Sequence, residues 1–226
     1  MWRKRIATLM TALALAAVVA LPAIAEDEAA EARHVVEAAR TTLAHFLADP
    51  DMTWVRSHLA SAKSVLIIPS QAKGGLIIGG SGGVGVLLAR GPHGRWSDPA
   101  FYHLGSVSLG LQAGGQVSEV LLLVRTENGM NSFLSPSVKL GAGVSVAAGP
   151  VGQGAQAATS DILSFSRTKG VFLGASLDGT VVEPAKELNK AFYGRDVSPV
   201  DILVRRDVTS RQADGLRRDL AAATRR

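Results

Sequence analysis

Three arrangements in this chain carry residue types that could do chemistry. Gly80-Ser81-Gly82-Gly83-Val84-Gly85 has the G-x-G-x-x-G spacing that lets backbone approach a pyrophosphate at a helix N-terminus. A helix must follow those glycines directly, and only Val86 to Arg90 stand between them and Gly91-Pro92. The overlapping Gly79 to Gly83 string is G-x-S-x-G, with Asp98 and His103 following in the order of a hydrolase triad. Such a nucleophile sits on a strand-to-helix turn of a parallel α/β sheet, a scaffold that short glycine-bounded runs do not supply. A hydrolase using Ser81, Asp98 and His103 therefore stands as an alternative reading. The histidines at 34, 45, 58, 93 and 103 show no H-E-x-x-H spacing and no Cys partner. His34, His45 and His58 read as surface or boundary positions on or beside helices, while His93 and His103 bracket Asp98 and could form a polar site with it. No catalytic residue, metal ligand or cofactor is expected.

Cations offer the remaining chemistry. Lys63, Lys73, Arg90, Arg95, Arg167 and Lys169 flank apolar runs and glycine turns, so several could converge on one rim. There they would present a shared positive face to an anionic group. Each alone is equally an ordinary solvated charge. Trp96, with Phe101 and Tyr102, forms the densest aromatic patch, open to core packing or to interfacial anchoring.

Composition bounds what these residues can belong to. The chain has 226 residues, is 47% hydrophobic, 5% aromatic and 19% charged, and contains 24 Gly and no Cys. Disulfides and thiolate chemistry are excluded, and the apolar share is too high for a chain disordered throughout. Arg3, Lys4 and Arg5, an uncharged stretch from Ile6 to Leu21, and Ala23-Ile24-Ala25 form the n-region, h-region and A-x-A site of a cleavable signal peptide. Cleavage after Ala25 would remove three cations and lower the formal charge of +5. The rest runs from acidic at Glu26-Asp27-Glu28 to arginine-rich beyond residue 204, where a terminal tail reads as a solvated end.

The elements that must position these residues follow from periodicity. Ala32, Val36, Ala39, Leu43 and Phe46 recur at helical spacing, which predicts an amphipathic helix ending near Asp49-Pro50. A short second helix is expected from Thr53 to Lys63. Runs at 65–68, 76–78, 84–88, 107–111, 119–125, 138–146 and 162–177 read as strands, with Asn128-Gly129 as a hairpin turn. Gly85, Gly110, Gly141, Gly143 and Gly174 inside such runs imply bulges, bends or close backbone approach, hence a strongly curved sheet. Pro184 to Tyr193 reads as a helix capped by Gly194, and a last helix follows Asp207. An outer-membrane barrel is disfavoured by the low aromatic content and the helical ends. The expected fold is α+β: a curved, largely antiparallel glycine-rich sheet with N-terminal helices and a C-terminal helical region. The expected divisions are a signal peptide (1–25), N-terminal helices (26–63), a β-rich domain (64–204) and a basic helix or tail (205–226).

From Ala62 to Leu203 the chain resembles the SYLF domain family. The resemblance rests on Ala62-Lys63-Ser64-Val65-Leu66-Ile67-Ile68-Pro69, the glycine tract from Gly74 to Gly85, Trp96-Ser97-Asp98-Pro99-Ala100-Phe101 and Gly110-Leu111-Gln112-Ala113-Gly114. It continues through Gly149-Pro150-Val151-Gly152, Ser164 to Phe172, and Asn189-Lys190-Ala191-Phe192-Tyr193-Gly194. The resemblance implies a non-enzymatic lipid-binding module, with relatives in bacterial exported proteins and in eukaryotic phosphoinositide-binding and actin-patch proteins. Here the first helix is acidic and an export signal precedes it. The expected partner is therefore an anionic phospholipid or membrane surface in the periplasm, not nucleic acid, and not actin. Lys63, Lys73, Arg90, Arg95, Arg167, Lys169 and Trp96 are the candidate contacts. A structural or protein-interaction domain without lipid affinity is the other alternative.

Overall fold

The computed structural model describes residues 26–75, 78–109, 116–149, 159–168, 171–174 and 177–225. The leader sequence, Gln112, Lys169 and part of the glycine tract lie outside the described residues. Helix α1 spans 26–48 and buries Ala32, Val36, Ala39, Leu43 and Phe46, the stripe that the periodicity predicts. It stops before Pro50, whose ring disfavours helical geometry in the preceding residue. A 3-10 turn (Pro50–Met52) leads into α2 (Thr53–Leu59), shorter than expected at its C-terminal end, with Val55 and Leu59 buried.

Among the described residues nine strands follow: β1 (Ser64–Gly75), β2 (Ile78–Ala89), β3 (Ala100–Leu109), β4 (Gln116–Val124), β5 (Val138–Lys139), β6 (Val146–Ala148), β7 (Ile162–Thr168), β8 (Val171–Gly174) and β9 (Val181–Pro184). They form one curled sheet in the order β5-β9-β3-β2-β1-β4-β7-β6, with β8 also on β7. All its strand pairings are antiparallel except β6 with β7. The chain is thus α+β, with α4 (Lys186–Tyr193) and α5 (Asp214–Ala223) after the sheet and a π-helical turn (Val200–Arg205) between them.

Both faces of the central strands are covered, which is why their sequences are apolar without a break. Val65 and Ile67 of β1 pack with α1, α2, α4 and α5 on one face. Leu66 and Ile68 face a second layer that contains Met130, Phe133, Leu140, Ile202 and Leu203. Between Ile67 and Ser70 the β1–β2 register shifts, and Pro69, which has no N–H to give a ladder, sits in that bulge. The bulge brings β1 onto β2. A Cβ on Gly85 would lie 2.9 Å from the Ile67 carbonyl oxygen, and one on Gly83 would lie 2.6 Å from that of Ser70. Close approach by a neighbouring backbone, and not nucleotide binding, accounts for these two glycines.

Two expectations are corrected. Asn128-Gly129 does not make a hairpin turn. Thr126 caps a helix, α3 (Glu127–Ser132), by accepting a hydrogen bond from Gly129 N at 3.0 Å. The N-cap wins over the turn signal because this helix delivers Met130 and the adjoining Phe133 to the second core layer. The run 138–146 is not one strand either. It is the two-residue β5 followed by a turn in which Gly141 and Gly143 take positive φ. The cap at Gly194 does form, with φ 70°.

Candidate functional site

The loop joining β2 to β3 folds back on itself. Arg90 bridges Trp96, Gly91 N donates to the Arg95 oxygen at 2.8 Å, and Gly94 N donates to the Gly91 oxygen at 3.2 Å. His93 is held at φ 60°, a conformation uncommon outside glycine. The turn thereby sets Arg90 and Arg95 on either side of two glycines.

Arg206 comes from far along the chain to complete this arrangement. It follows the π-helical turn and is itself left-handed, at φ 60°. Its Nη2 donates to the Arg95 carbonyl oxygen at 3.1 Å, and its guanidinium lies against Gly91 so closely that any Cβ there would collide with it. Burial pushes the Arg206 guanidinium pKa below its ordinary value, and the nearby charge of Arg95 pushes it the same way. No carboxylate lies within 4.0 Å of Arg90, Arg95 or Arg206 among the described residues. Among the described residues Arg90 Nε is buried with no hydrogen-bond partner. Two positions before Arg206, Val204 on the π-helical turn is 53% exposed.

Asp98 anchors the segment that carries Arg206. Its carboxylate accepts from Ser210 N at 2.9 Å and from Arg217 Nη1 at 2.8 Å. Burial raises its pKa, while the Ser210 N–H and the Arg217 charge pull against that rise. The group is committed to holding the C-terminal segment, and the polar site that His93 and His103 could have made with it does not form: both histidines are exposed. The alternative triad is also dispersed. Ser81 Oγ bonds to Ser106 Oγ at 2.7 Å, Asp98 is taken by Arg217, and His103 points outward from β3.

The other candidates go elsewhere. Lys63 pairs with Glu127 at 2.7 Å. Arg167 bonds to Glu119 at 2.8 Å in a cluster with His45, between β4, β7 and α1. Trp96 is core, 5% exposed, with Nε1 donating to Thr224 Oγ1 at 3.4 Å. Lys73 lies on β1, its side chain outside the described residues, as is Lys169. The sequence reading missed Arg206 because it counted among the tail arginines, and no spacing linked it to Arg95, 111 positions earlier. An open groove of about 490 Å³ between α1 and α5, lined by Leu43, Leu47, Ala222 and Ala223, is bounded by Arg56 and Asp219. Arg56 is occupied by the Leu47 and Asp49 carbonyls, and Asp219 by Arg40.

Residues 105–223, from within β3 to the end of α5, match the Ysc84 family, described as Las17-binding protein actin regulator. The chain belongs to the Ysc84 family. This is the family that the SYLF resemblance indicated. Among Ysc84 relatives, the chain is 32% identical over 170 residues to Protein YSC84 of Saccharomyces cerevisiae, covering 72% of this chain and 36% of that one. It is 31% identical over 172 residues to SH3 domain-containing protein PJ696.02 of Schizosaccharomyces pombe, covering 73% and 40%. It is 29% identical over 160 residues to SH3 domain-containing YSC84-like protein 1 of Bos taurus, covering 68% and 47%. The chain thus spans less than half the length of these curated relatives, two of which are named for SH3 domains. No solved structure matches it.

Proposed function

We propose that this Ysc84-family chain is an exported, non-enzymatic phospholipid-binding protein that docks on the periplasmic face of an envelope membrane through its arginine turn. The observation that carries this reading is the gathering of Arg90, Arg95 and Arg206 at one turn without a carboxylate partner among the described residues. Long side chains of like charge repel, so bringing three together costs stability unless an anion meets them. Val204, exposed two positions before Arg206, supplies a small apolar contact for insertion between headgroups. Among the described residues no helix is long and apolar enough to cross a membrane, and surface docking needs none.

Sedimentation with liposomes tests the proposal. The chain without residues 1–25 is expected to pellet with anionic vesicles and to be released by salt, since exposed charges are screened within about 10 Å at 0.1 M ionic strength. Recovery wholly in the supernatant with every vesicle type would leave the rival reading, a protein-docking module, which the names of the Las17-binding and SH3-containing relatives favour. Export rests on the leader sequence. Protein recovered from the envelope fraction should begin at Glu26, and an intact Met1 in a cytosolic fraction would remove both the periplasmic assignment and the reason for setting actin aside.

A further inference from the structure

We infer that the turn formed by Arg90, Arg95 and Arg206 binds a phosphomonoester dianion in preference to a phosphodiester. This rests on the headgroup reading above and names the chemistry of the group that the site takes.

The first argument is charge. The Arg206 guanidinium lies against Gly91 and that of Arg90 against Gly94, the charge of Arg95 bears on Arg206, and Asp98, the acid that bears electrostatically on Arg206, is already held by Arg217 and the Ser210 N–H. A diester headgroup brings one negative charge and would leave the cluster strongly cationic. A monoester brings about 1.5 to 2 negative charges at neutral pH and three acceptor oxygens, which matches three forks far better.

The second argument is shape. Gly91 and Gly94 remove the Cβ atoms that would keep guanidiniums away from the turn: a Cβ on Gly94 would lie 3.2 Å from Arg90 Nη2, and one on Gly91 would overlap Arg206. Both long side chains are drawn in against backbone on the same four-residue turn, and His93 and Arg206 hold left-handed conformations to do so. Such φ values in non-glycine residues persist only where the surroundings enforce them, and they gather at ligand sites.

The third observation is independent of the first two. Among the described residues four buried side-chain polar atoms have no hydrogen-bond partner, Ser64 Oγ, Gln71 Oε1, Ser164 Oγ and Arg90 Nε, and of these Arg90 Nε is the one that belongs to a charged group. Buried donors are costly to leave unmade. A tetrahedral oxyanion seated on the turn offers the acceptor that the protein does not.

The phosphomonoester could be carried by a lipid or be free in solution, and one set of measurements separates these. Binding of the chain without residues 1–25 is measured on phosphatidylcholine vesicles containing either phosphatidic acid or phosphatidylglycerol, at matched molar content. The expected result is about tenfold tighter binding to phosphatidic acid, or about 1.4 kcal/mol. Equal binding to both would overturn the inference and leave the headgroup reading intact, whereas no binding to either would remove both. Displacement from phosphatidic acid vesicles by glycerol 3-phosphate would show that the free group suffices. A preference that resists it would show that the lipid is the source, and both results uphold the site. Arg206→Lys keeps the charge and loses the fork, so its preference should fall to parity, with folding checked by circular dichroism. Arg95→Lys, at an exposed position, repeats the test if Arg206→Lys weakens the fold. A full preference retained in both variants would overturn the assignment to this turn.

Discussion

Among single residues, Trp96 shows how burial decides between roles that share a residue type. A tryptophan beside arginines is what an interfacial anchor looks like in sequence, yet its ring lies within the core shared with α5, and its N–H reaches Thr224. Trp96→Ala should therefore act through folding, with a loss of about 3 to 5 kcal/mol in stability measured by denaturant unfolding. Any variant protein that remains folded should keep its vesicle binding. A weakened attachment at unchanged stability would return Trp96 to the membrane surface. Asn189 makes the same point within the C-terminal motif, since its buried side chain accepts from Phe101 N at 3.0 Å and donates to Phe101 and Ala185 oxygens. That amide holds α4 to β3 and is spent on structure.

At the level of elements, Asp161 joins pieces that periodicity alone could not connect. Its carboxylate accepts from Thr126 at the start of α3, from Ser145 N at 2.9 Å and Oγ at 2.7 Å before β6, and from Asn128 at 3.3 Å. The Thr126 hydroxyl is the largest cause of a depressed pKa of about 2, with the Ser145 and Asn128 donors adding to it. A depressed carboxylate stabilises the fold at pH above its unfolded value, near 3.9, and that stability is lost as pH falls through about 2. Asp161→Asn should melt below wild type at about pH 5, and the gap should close as pH falls from about 4 towards 2. A gap that stayed constant across this range would show that the contact is one of shape and not of charge. The correction at Asn128-Gly129 belongs here as well, because the dipeptide that signals a hairpin sits inside this capped junction.

On the scale of the whole molecule, the C-terminal arginines change meaning. As a count of charges beyond residue 204 they read as a solvated tail. In the structure Ala213, Leu216 and Leu220 are buried against α1 and the sheet, Arg40 pairs with Asp219 at 2.6 Å, and Arg217 closes on Asp98. Ending the chain after Arg205 should therefore lower the thermal midpoint sharply or prevent folding, where removal of a free tail would leave the melt unchanged. Circular dichroism melting distinguishes the two. The segment is both a structural strap and the carrier of Arg206, so the proposed membrane attachment would be coupled to stability through it.

Much of the fold was legible from local pattern. Helical spacing located α1, breaker-bounded apolar runs located the central strands, and Gly194 marked the end of α4, because each of these depends on neighbours within a few positions. The class of the sheet followed from its glycines, two of which prove to be contacts with the bulge at Pro69. Lys63 and Arg167 looked like Arg90 and Arg95 in sequence, but the last two flank the turn on which Arg206 closes, while the first two are matched by Glu127 and Glu119. Which charges are neutralised depends on partners brought together from distant parts of the chain, so the arginine turn was a decision of tertiary packing alone.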